Sequence, residues 1–262
     1  MKFSIGVLSL LLVLVTHVNA TAQGRFVPNY DETAIPDYEL PSCLITNEGK
    51  VVSNAAMWEQ TRRAEILELF ESEVYGRSPA ACKILHKTIS KKNDALGGKA
   101  VRREVDVTMQ VGSKSTTMRL LIYTPRSRVS VPAFIGLNFQ GNHTVDASDE
   151  ISITDNWVRN RGGIKDNRAN ASTRGTAAGR WAIDKIIDRG YGLVTIYYGD
   201  IDPDFDDGFE NGIHPQFANQ TSRITEGERW GSIAAWAYGL SRALDYLELD
   251  DNIDATRVAV IG

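Results

Sequence analysis

No long run of lysine or arginine occurs in the 262 residues, and the formal net charge is -4 with a pI of about 5.6. A surface built to hold nucleic acid is therefore not expected. Beyond the N-terminus, no apolar run approaches the roughly 20 residues of a membrane-spanning helix, so the mature protein should be soluble. Cysteine is scarce, with only Cys43 and Cys82. In an oxidising compartment these two could pair, or they could stand as separate buried thiols. Their Cα separation decides, and a sequence does not contain it. Internal repeats are lacking, which argues against a solenoid. What remains is ordinary for a globular chain: 42% hydrophobic and 24% charged residues, enough for one large domain or two small ones. Five Trp and nine Tyr suit a sugar-binding surface and a core equally well.

The first residues carry a clear signal. Lys2 gives a positive start, Ile5 to Val15 is nearly all Leu, Val and Ile, and small residues follow at Val18-Asn19-Ala20 and Ala20-Thr21-Ala22. This pattern predicts a signal peptide over residues 1–22, cleaved after Ala20 or Ala22. The protein is expected to be exported, to the periplasm or the medium. Asn19 and Thr21 close the apolar run too early for an anchor.

Residues 23–50 are polar and broken by Pro28, Pro36 and Pro41. They read as an extended lead-in draped over a domain at 51–262. Ser53 or Asn54 is placed to cap a helix whose Ile66, Leu67, Phe70 and Val74 share a face, with Gly76 as its stop. Val105, Val107, Met109 and Val111 alternate with polar residues, as a half-buried strand does. Gly112 to Ser115 turns the chain, and Thr116 to Tyr123 returns. This hairpin is expected at a sheet edge. Pro132 to Phe139 and Leu193 to Tyr198 are short continuous apolar runs, expected as strands covered on both faces.

Between these runs lies a polar stretch, Asp146 to Thr176, of the length usually found in functional or mobile loops. Trp181, Ile183, Ile186 and Ile187 predict a helix stopped by Gly190. An acidic loop spans Gly199 to Gly212. A long helix is expected from Glu228, with Trp230, Ile233, Ala234, Ala237, Leu240, Leu244 and Leu247 at helical spacing. After Asp250–Asp254, Arg257 to Gly262 forms a further buried strand. Strands alternating with helices after an edge hairpin argue an α/β fold, with a mostly parallel sheet flanked by helices.

The last strand, Val258-Ala259-Val260-Ile261-Gly262, is of the kind that runs into Gly-x-Ser-x-Gly in α/β-hydrolases. Glycines are needed there because the serine sits on a strained turn. Gly262 stands where the first glycine would. A plain strand of a Rossmann-like domain ends the same way.

Longer stretches carry a resemblance. RRAEILELFESEVYGR (Arg62–Arg77), FIGLNFQGNHT (Phe134–Thr144), GYGLVTIYYGDIDPDFDDGFENGIHP (Gly190–Pro215), WGSIAAWAYGLSRALDYLE (Trp230–Glu248) and DATRVAVIG (Asp254–Gly262) resemble the bacterial glucuronoyl esterases of the carbohydrate esterases. They do so in order and over nearly the whole mature chain. The resemblance implies an α/β-hydrolase fold, incomplete at the C-terminus, and a serine carboxylic ester hydrolase acting on esters between glucuronoxylan and lignin alcohols. It implies a polysaccharide substrate, no cofactor and a monomer at full length. It also places the nucleophilic serine just beyond Gly262, followed by an arginine, with the triad acid and histidine further on. The chain as written is then a fragment, expected to be inactive. Another carbohydrate esterase, such as an acetylxylan esterase, or a non-catalytic fragment are the alternatives.

Among the residues present, Gln140, Gly141, Asn142 and His143 occupy the loop that supplies an oxyanion N–H in α/β-hydrolases; a tight turn stabilised by Asn142 is the structural alternative. Asp200 and Asp202 are expected beside the substrate. No metal is expected. An EF-hand starting at Asp202 would need Gly and Glu at its sixth and twelfth positions, which hold Asp207 and Ile213. His86 and His214 have no partner suggesting a metal site. Arg161-Gly162-Gly163 and Arg174-Gly175 could meet a uronate or lie solvated. Trp181, Trp230 and Trp236 read as packing.

Overall fold

The computed structural model describes residues 27–127, 129–221 and 225–262. The expected signal peptide lies outside the described residues. The chain divides into two units, Met1–Cys43 and Leu44–Gly262. In the first, the described residues are exposed and irregular apart from one 3₁₀ turn, Glu32–Ala34, capped by the Asp31 carboxylate.

The second unit is built on a six-stranded sheet among the described residues: β1 (Lys83–Ala95), β2 (Ala100–Val111), β3 (Lys114–Pro125), β4 (Val131–Asn138), β5 (Gly192–Tyr197) and β6 (Ile253–Val260), in the order β1-β2-β3-β5-β4-β6. β1, β2, β3 and β5 pair antiparallel in turn. Only β5-β4-β6 is parallel, so the sheet is mixed rather than mostly parallel. The predicted hairpin, β2–β3, is interior: β1 lies outside it and takes the edge. Lys83–Ala95 is lysine-rich and mostly exposed, so it has no apolar run to mark it.

Val105, Val107 and Met109 point to one face of the sheet and are fully buried with Met118, Leu120 and Ile196. That face is covered by α6 (Ser232–Leu247). The helix begins after Trp230, and its buried side is Ala235, Tyr238, Gly239, Ala243 and Tyr246. Ile233 and Ala237, expected inside, face out. The opposite face packs Leu121, Tyr123 and Leu193 against Trp181, Ile183 and Ile187. Their helix is two pieces, α3 (Ala178–Trp181) and α4 (Ile183–Ile187), broken by Ala182 in the left-handed region at φ 44°.

Near the N-terminus of this unit, Asn54 Oδ1 accepts from Met57 N (2.9 Å) and caps α1 (Ala55–Met57). Trp58–Arg62 (π-helical), α2 (Arg63–Phe70) and Glu71–Tyr75 (π-helical) continue it to Gly76. Leu67, Phe70 and Val74, predicted as a buried stripe, are exposed. β5 is buried throughout, as predicted. β6 is not: Val260 is 70% exposed, and among the described residues the strand's outer edge pairs with no other strand. One helix passed over in the sequence, α5 (His214–Thr221), follows the acidic loop. Among the described residues no helix is long and apolar enough to cross a membrane.

Candidate active-site face

β4 and β5 run parallel and end together at Asn138 and Tyr197. Ligands in open α/β sheets bind at such carboxyl ends. Asn138 is buried and organises the loop that follows. Its Nδ2 donates to Asn142 Oδ1 (2.6 Å) and Thr195 Oγ1 (3.0 Å), and its Oδ1 accepts from Gly141 N (2.9 Å). Gly141 has φ 102°, and a Cβ there would lie 2.8 Å from His143 Nδ1. Only glycine fits this turn. Asn142 is also tied down, with Nδ2 donating to Arg119 O (2.8 Å).

His143 is fully buried and points away from solvent. Thr173 Oγ1 donates to Asn170 O (2.8 Å), so it accepts from His143 Nε2–H (2.8 Å). Nδ1 then carries the lone pair and has no hydrogen-bond partner. Burial, and next the charge of Arg174, push the His143 pKa down to about 4. The imidazole is therefore a neutral strut between the post-β4 loop and the 146–176 stretch. Arg174 has a similar office: its Nη1 donates to Ser148 O and Ile151 O (both 2.8 Å).

A pH prediction follows, because folding depresses the His143 pKa. The unfolded chain binds the proton more readily between the ordinary histidine value, about 6.5, and about 4. Stability should be complete above that window and fall by roughly 2–4 kcal/mol as pH drops through it. His143→Gln keeps an N–H donor and should flatten this limb. Equal pH slopes for the two proteins in urea titrations would remove His143 as the cause.

Gln140 and Phe139 remain on the open side. Phe139 packs between Tyr198 (ring centroids 5.6 Å apart) and the Arg180 guanidinium (5.6 Å from its ring centroid). Gln140 Nε2 lies near Gly162. Arg180 also lines, with Leu137, Trp181, Ile261 and Gly262, a cavity of about 270 Å³ at the end of β6. Gly136 makes this approach fit: a Cβ on it would sit 2.4 Å from Ile261 O. Ile261 N in turn donates to Ile135 O (2.9 Å).

Asp200 follows β5 and is buried. Its Oδ1 accepts from Asn156 Nδ2 (2.8 Å) and Thr154 Oγ1 (3.2 Å), and its Oδ2 from Arg119 N (3.1 Å). Burial raises its pKa, against the pull of these donors. It lines a cavity of about 250 Å³ with Asp106, Arg119, Asn142 and Tyr197. Asp202 does not share that cavity. Its carboxylate is buried 3.5 Å from His214 Nε2, whose ring packs against Phe209 and Trp230, and its carbonyl accepts from Trp236 Nε1 (2.8 Å). Asp202 is thus buried within the acidic loop, outside the cavity that Asp200 lines. Among the described residues no cluster of His, Cys, Asp or Glu is arranged to hold a metal. Arg119 and Asp106 were missed in the sequence; a charged residue inside each of the strands MRLLIY and VDVTM was the available signal.

No family model matches the chain. A carbohydrate esterase from an unknown prokaryotic organism is 46% identical over 237 residues, which is 89% of this chain and 55% of that protein. A structure described as a promiscuous CE15 esterase from a marine bacterial metagenome superposes with a TM-score of 0.80 at 45% identity, covering 89% of this chain and 59% of that one. Over most of its length the chain is similar to these esterases. A glucuronoyl esterase from Solibacter usitatus agrees equally well, with a TM-score of 0.80, 41% identity, and coverage of 88% of this chain and 59% of that one. The mixed sheet flanked by helices is accordingly that of the α/β-hydrolase fold found in CE15 esterases. The chain spans little more than half the length of these relatives.

Proposed function

We propose that this chain is part of an exported serine carboxylic ester hydrolase that cleaves uronate esters of glucuronoxylan. Identity above 40% to a carbohydrate esterase and to a glucuronoyl esterase carries the reading. The reaction is acyl transfer: a serine attacks the uronate carbonyl, a histidine moves the proton, and an acid orients the histidine. None of these three is assigned to a residue of this chain; in this reading the serine belongs to the turn that follows β6. The chain's own share is the floor of the site. Asn138 and Gly141 fix the post-β4 turn, Gln140 stands at its open side near Gly162, and in this reading a backbone N–H of the loop serves as an oxyanion donor. Donors of that kind are each worth about 100- to 1,000-fold in rate. His143 and Thr173 hold the turn and do not touch substrate.

Exposed surfaces fit a larger hydrolase domain. Among the described residues, the open edge of β6 and the exposed apolar residues Leu67 and Phe70 of α2 and Val74 of the π-helical turn after it are patches a monomeric protein normally covers. We assign residues 51–262 to the N-terminal part of that domain. Residues 1–22 are assigned as the export signal and 23–50 as the lead-in.

The test is to extend the coding frame past Gly262 and assay the product on methyl glucuronate and acetyl-xylan esters. The expected result is hydrolysis of the uronate ester by the extended protein, none by residues 1–262, and loss on replacing the elbow serine. Preference for the acetyl ester would move the protein to another esterase specificity, and an extended protein inert on both would end the hydrolase reading.

A further inference from the structure

A second depression adjoins the Asp200 cavity. It holds about 290 Å³ and is lined by Trp157, Phe205, Pro203 and Asn211. The two share Thr117, Asn156 and Asp200, so together they form one groove from Arg119 to Phe205. It runs across the start of β3 and past the carboxyl end of β5. The residues lining the cavity at the end of β6 are different ones.

The chemistry of the walls is mixed in a particular way. At one end are two rings, Trp157 and Phe205, with centroids 5.0 Å apart and planes tilted by 44°. Phe205 is 40% exposed. Along the rest are hydroxyls, amides and carboxylates: Thr117, Asn156, Asn211, Asp106, Asp155 and Asp200. Aromatic faces suit a ligand with a flat C–H surface. Amides and carboxylates suit a rim of hydroxyls, which donate and accept.

Charge narrows the class. Among the lining residues three aspartates outnumber one arginine, Arg119, which is already engaged, with Nε and Nη2 on the two Asp106 oxygens (2.7 and 2.9 Å); Arg159, 6.0 Å from the Trp157 ring centroid, is likewise paired, with Asp204 (2.7 Å). An anionic sugar would meet net negative potential here. A cation would have to displace the three donors already on Asp200. The polar walls are also pre-set. Asn156 N donates to Thr154 Oγ1 (3.1 Å), and the Tyr197 hydroxyl holds the Trp157 carbonyl. Little ordering is left for a ligand to impose, which favours affinity.

We propose that this groove binds neutral pyranose units of an oligosaccharide, stacking one on Trp157 and Phe205 and hydrogen-bonding the next at Asn156 and Asp200. This deepens the proposed function by giving the polysaccharide a subsite that begins at Asn142, on the post-β4 turn, and it rests on that reading only for the choice of sugar.

The experiment is calorimetric titration of the 262-residue chain with xylohexaose, cellohexaose and free glucuronate. Trp157→Ala, Phe205→Ala and Asn156→Ala are compared with the parent after each is shown to melt cooperatively. Phe205→Ala and Asn156→Ala replace partly exposed side chains, so the test survives a failure of Trp157→Ala to fold. Binding of one neutral hexaose, weakened about tenfold by loss of either ring and also by Asn156→Ala, is the expected result. Absence of binding to both hexaoses, binding untouched by all folded variants, or preference for glucuronate would each overturn the proposal. Ester hydrolysis is not the readout. A groove that binds xylohexaose in a protein whose extended form cleaves no ester would uphold this subsite while the esterase reading fell.

Discussion

Trp230→Ala should destabilise the fold by about 3–5 kcal/mol, the range for truncating a fully buried Trp. Trp230 is 1% exposed and meets three rings edge-on: His214 (centroids 4.8 Å apart), Phe217 (5.6 Å) and Tyr238 (5.6 Å). The loss does not stop at the cavity. The Tyr238 hydroxyl accepts from Cys82 N (3.0 Å) and donates to Ala80 O (2.9 Å), so a shifted Tyr238 loosens the entry to β1. Beside Trp230, Gly231 N donates to Tyr75 O (3.1 Å), and Arg77 N to Glu228 O (2.8 Å). The residue therefore sits where α5, α6 and the π-helical turn at Glu71–Tyr75 converge. Urea unfolding should show a lower midpoint; a change under 1 kcal/mol would mean that this aromatic cluster is not part of the cooperative core.

Arg103→Met is the second large effect, again about 3–5 kcal/mol. Arg103 Nη1 lies 2.7 Å from Asp250 Oδ2, and both side chains are almost entirely buried. Burial pushes the Asp250 carboxyl up, but the Arg103 guanidinium and the Asn252 amides together hold it below the usual carboxylate range. With a depressed folded value, the stabilisation is present above the ordinary aspartate pKa of about 4 and is lost as pH falls through the folded one. Removing Arg103 takes away the one charge beside Asp250 and leaves burial opposed only by the neutral donors Asn252 and Tyr246. Asp250 of the variant should then titrate above its unfolded value, and stability should decline as pH rises from about 4 to 7, the reverse of the parent. Adding Asp250→Leu should recover much of the loss, because two apolar groups replace a buried charge. A variant with the parent's pH slope would show that Asp250 is held by something other than Arg103.

Legibility in the sequence followed burial. β4 and β5 announce themselves because Phe134–Leu137 and Leu193–Tyr197 are apolar on both faces. β1 does not, since Lys83–Ala95 turns most of its length to solvent. α6 was found, but its phase was set on Ile233 and Ala237, whereas Tyr238, Arg242 and Tyr246 point inward. Large side chains with polar tips bury their bodies and satisfy their tips, as Tyr246 does on Asp250 (3.1 Å). The stretch 146–176 looked structureless, yet Ile151, Val158 and Ile164 pin it at irregular intervals. The turn at Gln140–His143 was placed correctly at a strand end. Its internal roles were not readable, because Thr173 and Arg119 come from distant segments. The groove was invisible for the same reason: Asp106, Arg119, Asn156 and Asp200 meet only after folding.

The strand order has a bearing on how the chain is made. Emerging from the ribosome, β1, β2 and β3 can zip as successive hairpins, each with a short loop to close. β4 is synthesised next, yet its place is one strand away from β3, across a slot that β5 will fill. Some fifty residues separate β4 from β5, so the nascent chain passes through a stage at which two apolar strand edges wait for a partner not yet available. That interval is where a slowed ribosome or a bound chaperone would matter most for the yield of this protein.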